Sequence, residues 1–268
     1  MPKQVVTGIV YKYARPERVD VLENGYIRFT QLNALNDPFE ALPSFCEFRS
    51  GAIEQMKEFT SAKFGKSKTG AIEPIFPEIV DDFVRQLPDT LSRKFAFLSL
   101  SKRRDNLVMW SHYADSHRGF VLGLFADNRF FKPGNGKGRH GLCEVSYSNK
   151  RVILPRRAYP RLGLQGAHDL NDVIFYTKST HWAYEEEVRI VGDPEAADRT
   201  ESETPTIPIH LFKLPSECVA EIILGHRMDT DYVARFRTIL AEHYRGAQLL
   251  RARVDDEVFE LRIEPDAG

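Results

Sequence analysis

Short runs of β-branched and aromatic residues, separated by turn residues, recur along the whole chain. VVTGIVYKY (5–13) and FVLGLF (120–125) are typical of these runs, which favour extended backbone. The remaining runs predict further strands at 26–29, 95–101, 142–148, 187–191 and 219–225, and QLLRARV and VFELRI as two closing strands.

Helical spacing is clearest near the C-terminus. Residues 231–244 follow Thr230, which can cap a helix, and the spaced positions are Tyr232, Phe236, Ile239, Leu240 and His243. Pro16 and Gly25 predict the start and end of a short helix over 16–24. Residues 51–94 predict helical structure that is broken by an exposed loop at 63–70. Two further helices are predicted, one from an Asp105 cap to about Tyr113 and one at 170–178. Residues 198–206 predict a polar connection.

The order of these elements indicates the fold class. Strands outnumber helices and do not alternate strictly with them, and the chain shows neither an internal repeat nor a linker. We therefore expect one α+β domain over residues 1–268, with a mixed, largely antiparallel core sheet flanked by helices.

Composition agrees with a folded protein. The hydrophobic share is 42% and the charged share 28%, and the formal net charge of −1 gives the whole chain no general affinity for polyanions. No run approaches the ~20 apolar residues of a membrane helix, and the N-terminus is too polar for a signal peptide. The three widely spaced cysteines indicate reduced thiols. We expect a cytoplasmic protein with no membrane partner; its oligomeric state is open.

The stretch SLSKRRDNLVMWSHYADSHRGFVLGL (99–124) is rich in amphipathic side chains. On a short helix Trp110 and Tyr113 lie on one side, where they could be plain core residues, and His112 lies on another. The three basic residues at 102–104 come just before this helix. This make-up suits a phosphate-bearing or planar ligand, so we interpret the stretch as one wall of a pocket.

WAYEEEVRI (182–190) combines acids, a base and aromatic residues in one predicted strand. Alternation would put Glu185, Glu187 and Arg189 on one face. Such a face can hold a ribose hydroxyl or stabilise a developing cation, with Trp182 close by. The alternative is a solvated strand face with an Arg–Glu pair that contributes little.

Asn36-Asp37-Pro38 predicts a turn, because Asx side chains bond their own backbone and proline fixes the dihedral angle. The alternative is a polar loop beside the site.

The segment 132–163 has the strongest local charge. Eight of its residues are basic against the single acid Glu144, and two tyrosines lie among them. The pattern favours weak binding of phosphates through Arg151, Arg156 and Arg157, and a solvated loop is the alternative. His140 and Cys143 lie three apart, but no second close pair exists to complete a zinc site, so we expect no metal.

Several of these segments together resemble a bacterial family, the domain of unknown function 2971. They are YKY (11–13), LENGYIRF (22–29), LNDPFE (35–40), the 99–124 stretch, WAYEEEVRI and EIILG (221–225). The MWSHYADSHRGF block is the most specific of them. The resemblance implies no activity, and it favours a place beside the site for the Asn36–Asp37 loop.

More distantly, the chain is similar to the ADP-ribosyltransferase fold. Those enzymes carry a basic or histidine residue on an early strand, an aromatic or serine segment in the middle and a late glutamate. Lys12 or Arg15, Tyr113 or Ser101, and Glu187 follow that order here. The resemblance implies NAD as cofactor and Glu187 as the group that stabilises the ribosyl cation, with Tyr113 stacked on a ring.

Two functions stay open. The first is an ADP-ribosyltransferase-like enzyme that acts on a nucleotide and a macromolecular acceptor, as a toxin or phage-defence effector. The second is a non-catalytic nucleic-acid- or nucleotide-binding module that uses residues 132–161. For the first we expect Glu187, Tyr113 and Glu185 to be catalytic, and ligand contacts from Lys12, Tyr13, Asn36, Asp37, Ser101, Trp110, His112, Trp182 and Arg189.

Overall fold

A computed structural model describes residues 6–133, 141–155, 173–201 and 208–267. The strands are β1 Ile9–Ala14, β2 Tyr26–Gln31, β3 Ala96–Ser101, β4 Phe120–Phe125, β5 Cys143–Glu144, β6 Ser146–Ser148, β7 Thr177–Ser179, β8 Glu187–Gly192, β9 Arg199–Glu201, β10 Ile209–Lys213, β11 Val219–Leu224, β12 Gln248–Val254 and β13 Leu261–Pro265. The α-helices are α1 Asp20–Asn24, α2 Cys46–Phe64, α3 Lys66–Ile72, α4 Phe76–Lys94, α5 Leu107–Tyr113 and α6 Thr230–His243.

Eleven of the described strands form one sheet. Its order is β13-β12-β11-β4-β1-β3-β2-β10-β9, and β8 pairs with both β3 and β5. Neighbouring strands are antiparallel along most of the sheet, whereas β11 and β12 run parallel. The predicted α+β class with a mixed, largely antiparallel sheet is confirmed.

The chain divides into two compact units. The first comprises Met1–Thr30, Ala96–Val145 and His181–Gly268 and contains the large sheet with α1, α5 and α6. The second comprises Gln31–Phe95 and Ser146–Thr180 and contains α2, α3, α4 and the short parallel pair of β6 and β7. The single domain over residues 1–268 stays a prediction.

The core of the first unit lies between the sheet and α6. Val10, Leu122 and Ile222, from three neighbouring strands, are at most 1% exposed, and the rings of Phe120 and Phe236 lie 4.8 Å apart. Removal of these apolar surfaces from water stabilises the unit. The predicted spacing in α6 is correct for Phe236, Ile239 and Leu240, which are buried, but His243 is exposed.

In the second unit, α4 buries one apolar stripe. Val80, Val84, Leu87 and Leu91 recur at helical spacing and are all less than 10% exposed. The predicted loop at 63–70 is wrong, because α2 ends at Phe64 and α3 begins at Lys66. Gly65, with φ of 83°, is the single residue between them, and such a φ favours glycine.

Further differences concern short strands, whose pairing depends on distant partners. Residues 142–148 form β5 and β6 rather than one strand, and Thr177 and Lys178 belong to β7 rather than a helix. Residues 199–201 of the predicted polar connection form β9, and β10 was not predicted.

The helix starts also differ by one residue from the predicted caps. The Asn106 side chain, not that of Asp105, accepts from two backbone N–H groups of α5. In α6 the cap is Asp229 rather than Thr230. Gly25 ends α1 with φ of 67°, as predicted. Across the described residues, no helix combines the length and apolar character needed to cross a bilayer.

Candidate functional site

A row of paired residues crosses the middle of the first unit's sheet. Strand register connects Glu221 with Gly123, Gly123 with Tyr11, Tyr11 with Ser101, and Ser101 with Glu187. Directly paired residues project to the same face of a sheet. Residues from five separate parts of the sequence therefore form one row, with a carboxylate at each end.

Glu187 is held by Arg189 on β8. The Arg189 Nε donates to Glu187 Oε1 at 2.8 Å and Nη2 donates to Oε2 at 2.7 Å. The two side chains are only 2% and 1% exposed, and the guanidinium lies 5.7 Å from the Phe97 ring centroid. The alternative of a solvated strand face is therefore wrong for Glu187, because its pair with Arg189 is buried. Its catalytic role stays a prediction.

Glu185 lies off the strand. It ends the 3₁₀ helix Thr180–Glu185, and Glu186, with φ of 41°, separates it from β8, so the predicted shared strand face is wrong for this residue. Tyr113 Oη, at the end of α5, donates to Glu185 Oε1 at 2.6 Å. The structure thus joins the 99–124 stretch to the WAYEEEVRI segment through two predicted site residues.

Trp110 and Tyr13 pack inside the unit. Trp110 is 0% exposed and its Nε1 donates to the Arg104 carbonyl at 2.9 Å. The Tyr13 ring meets it edge-on at 5.6 Å, and Tyr13 Oη donates to the Arg103 carbonyl at 2.9 Å. Burial raises the pKa of Tyr13. The predicted ligand contact of Trp110 is not available in this arrangement, because neighbouring residues cover the ring.

Three partly exposed rings lie beside this core. His112 Nδ1 is 3.2 Å from Tyr184 Oη, and the rings of Trp182 and Tyr184 are 6.2 Å apart. Asn106 Nδ2 donates to the Tyr184 carbonyl at 2.8 Å and ties α5 to the segment before β8. The ligand contacts of His112 and Trp182 stay predictions.

The basic run at 102–104 forms ion pairs at the surface, with its side chains 40–51% exposed. Each side chain has a carboxylate partner: Lys102 with Glu144 at 3.2 Å, Arg103 with Asp105 at 2.9 Å, and Arg104 with Glu221 at 3.1 Å. Ser101 is 1% exposed and its Oγ accepts from the Arg103 N–H. The interpretation of this run as one wall of a phosphate-binding pocket stays a prediction, although each of its cations already has an acid partner.

Glu221 is a buried carboxylate that sequence reasoning missed. It is 5% exposed in β11, and a Cβ at Gly123 would lie 2.6 Å from its Cγ, so the glycine leaves it room. Burial and the Glu221 charge raise the pKa of Tyr11. The signal was present as a lone charged residue within the apolar run VAEIILG.

A cavity of about 380 Å³ opens next to β1 in the first unit. Four of its lining residues are cationic: Lys12, Arg15, Arg18 and Arg28. The other residues that line it are Tyr13, Ala14, Val21, Ile27, Thr30, Tyr113, Phe120 and Leu122. None of these described lining residues is acidic, although Arg18 contacts Asp20 at 3.0 Å outside the lining. We call this the cationic cavity; its charge suits an anionic ligand.

Lys12 connects the cationic cavity to the acidic residues. Its Nζ donates to the Ser99 carbonyl at 3.0 Å. Desolvation lowers the pKa of Lys12 to about 8, Arg18 and Arg28 act in the same direction, and Glu187 and Glu185 oppose them. Of the predicted site residues, Lys12, Tyr113, Glu185, Glu187 and Arg189 are therefore brought together. Arg15 was named only as an alternative to Lys12, and Arg18 and Arg28 were missed.

A second cavity, of about 400 Å³, lies beside the turn between β12 and β13. Its lining holds four acids, Asp255, Asp256, Glu257 and Glu260, together with Arg227 and the two histidines His117 and His226. Burial and its two basic neighbours lower the pKa of His117. This cavity is slightly larger, but its four acids would repel phosphates, so the cationic cavity is the better candidate for an anionic ligand.

The Asn-Asp-Pro turn lies in the second unit. Asp37 Oδ1 accepts from the Phe39 N–H at 2.9 Å, which is the Asx turn expected from the sequence. Asp37 is buried and Asn36 is exposed. Their ligand contacts stay predictions.

Arg151 also lies in the second unit. Its Nε and Nη2 donate to the carbonyls of Leu42 and Pro43 at 2.9 and 2.8 Å. Arg156 and Arg157 lie outside the described residues. Arg151 is thus tied to the backbone of its own unit while the residue stays exposed, and its contact with a polyanion stays a prediction.

Among the described residues, no group of three or more His, Cys, Asp or Glu side chains is placed to hold a metal ion. Cys143 and Cys218 are buried and Cys46 is exposed, and none of the three forms a disulfide. Burial raises the pKa of Cys218 to about 12, which suits a structural thiol.

Comparison with known proteins gives one family match. Residues 109–190 match a family described as a protein of unknown function (DUF2971). The match begins within α5 and ends in β8, so it takes in Tyr113, Glu185, Glu187 and Arg189, and it leaves out β1 and β11. No curated protein and no solved structure matches the chain.

Proposed function

We propose that this protein binds a nucleotide by its phosphates in the cationic cavity. The observation that carries the proposal is the set of four cationic side chains around a space of about 380 Å³ whose described lining has no acid. That volume lies within the range of small-molecule sites. Arginine forks match phosphate oxygens, and charge-assisted hydrogen bonds of this kind are strong.

We further propose NAD as the nucleotide and an ADP-ribosyltransferase-like reaction. Loss of nicotinamide leaves positive charge on the ribose, and a nearby carboxylate stabilises that charge. Tyr113 lines the cationic cavity and donates to Glu185, which brings a carboxylate to its edge. Glu185 is a better candidate for this role than Glu187, whose two oxygens both accept from Arg189. A macromolecular acceptor, as in a toxin or phage-defence effector, completes the proposal.

Titration calorimetry tests the binding step. ADP should bind, pyrophosphate should compete with it, and adenosine should bind at least about tenfold more weakly, because the cations contact the phosphates. Equal binding of ADP and adenosine would refute a phosphate-directed site.

Release of nicotinamide tests the chemical step. Purified protein incubated with NAD and a cell extract as source of acceptor should release nicotinamide, and Glu185→Gln should bind NAD but release far less. Glu195→Gln, an exposed glutamate at the start of a 3₁₀ helix, is the matched control and should keep the wild-type rate. If Glu185→Gln keeps the wild-type rate, Glu185 is not the catalytic carboxylate.

A further inference from the structure

Lys12 has the position of a reactive amine rather than of a simple anion contact. It lines the cationic cavity, and its Nζ is fixed by one hydrogen bond to the Ser99 carbonyl at 3.0 Å. Lys102, which directly follows β3, instead forms an ion pair with Glu144. A desolvated lysine beside other cations is activated as a nucleophile, because the neutral amine is favoured there.

The charges that face Lys12 come from several elements. Arg18 and Arg28 favour its neutral form, and Glu185 and Glu187 favour its protonated form. Glu187 is already paired with Arg189, and Glu185 accepts from Tyr113. Burial has the largest effect and lowers the pKa of Lys12 to about 8, so a useful fraction of the amine is neutral near neutral pH.

We propose that Lys12 forms an imine with the carbonyl group of an anionic aldehyde or ketone held in the cationic cavity. The inference rests on the proposed function in one respect, that the cavity takes a phosphate-bearing ligand. The amine lone pair attacks the carbonyl carbon to give a carbinolamine. The carbonyl oxygen then leaves as water with the two amine hydrogens, and a C=N bond replaces C=O without any oxidant or reductant.

Pyridoxal 5′-phosphate, an aldehyde that carries a phosphate, is a suitable probe. The protein is incubated with a limiting amount, the imine is reduced with borohydride, and the modified peptides are quantified by mass spectrometry. We expect the Lys12 peptide to carry at least about tenfold more label than the Lys102 peptide, and Lys12→Arg to remove that label. Pyridoxal without its phosphate should label Lys12 much less.

Matched variants make the outcome decisive. Lys102→Arg should label Lys12 as the wild type does, and Arg28→Gln should label it less. Equal labelling of Lys12 and Lys102, or labelling of Lys12 that does not depend on the phosphate, would overturn the inference. If Lys12 is inert while ADP still binds, the inference alone fails. If ADP does not bind while phosphate-dependent labelling of Lys12 persists, the nucleotide proposal alone fails.

Discussion

The two charged regions of the first unit are built in opposite ways. In the paired region, Arg189 meets Glu187 at 2.7 Å and Arg104 meets Glu221 at 3.1 Å, and both carboxylates are buried. Around the cationic cavity, Lys12, Arg15, Arg18 and Arg28 share one space whose described lining holds no acid. The row that connects Glu187 with Glu221 passes through Tyr11 of β1, and the next residue of that strand, Lys12, lines the cavity.

This difference distinguishes charged residues that stabilise the fold from charged residues that suit a ligand. In a buried ion pair the two charges compensate each other. Removal of one partner therefore leaves an uncompensated buried ion. Cations that face one cavity repel each other, and a bound anion lowers that repulsion. The paired region therefore stabilises the fold, whereas the cationic cavity is the site we propose for a ligand.

The largest expected effect is on the paired region. Glu187→Gln should lower the free energy of unfolding by about 3–5 kcal/mol, because the buried Arg189 guanidinium loses its counter-charge. Urea denaturation measures this loss. Glu186→Gln is the control: its carboxylate is 42% exposed and 3.6 Å from Arg103, so we expect a change below about 1 kcal/mol. A loss for Glu187→Gln as small as that of the control would mean that the pair is not structural.

The next effect concerns Lys12 and pH. The pKa of Lys12 is about 8 in the folded chain, against an ordinary value of 10.5. Between these two pH values the unfolded chain binds more protons than the folded chain, so the stability of the wild type rises with pH. Relative to Lys12→Met, the wild type should gain up to about 3 kcal/mol between pH 7 and pH 10.5. Lys12→Arg stays protonated and should not show the gain. If the difference in free energy of unfolding between wild type and Lys12→Met did not change with pH, Lys12 would titrate like a lysine in solvent.

A smaller effect tests the packing of Glu221. In Gly123→Ala the new methyl group would lie 2.6 Å from Glu221 Cγ and 3.3 Å from Tyr11 Cε1. Displacement of this side chain should cost about 1–3 kcal/mol. Gly246→Ala is the control, since nothing lies within 4 Å of its Cβ position, and should change stability by less than about 0.5 kcal/mol. Equal thermal unfolding of the two variants would contradict the tight fit.

Local patterns predicted the elements that carry the site. Apolar runs located β4 and β11, and alternation correctly placed Glu187 and Arg189 on one face of β8. Alternation does not say what covers that face, so the burial of the pair was missed. The partner of Arg104 is Glu221, more than a hundred residues away, and no local signal reveals such a pairing.

The cationic cavity depends on the same kind of long-range arrangement. Lys12 and Arg15 come from β1 and its end, Arg18 from the following 3₁₀ helix and Arg28 from β2. Arg18 and Arg28 stand in segments whose strand and helix were predicted, yet nothing in their spacing indicates that they face one space. The basic run at 102–104 looked like the stronger signal because its charges are adjacent in sequence.

ADP affinity in two arginine variants tests the central claim most directly. Arg28 lines the cationic cavity, whereas Arg103 belongs to the paired basic run and contacts Asp105. Titration calorimetry should show at least about tenfold weaker binding for Arg28→Gln and unchanged binding for Arg103→Gln. The reverse result, with Arg103→Gln impaired and Arg28→Gln unaffected, would place the ligand at the basic run and contradict the account.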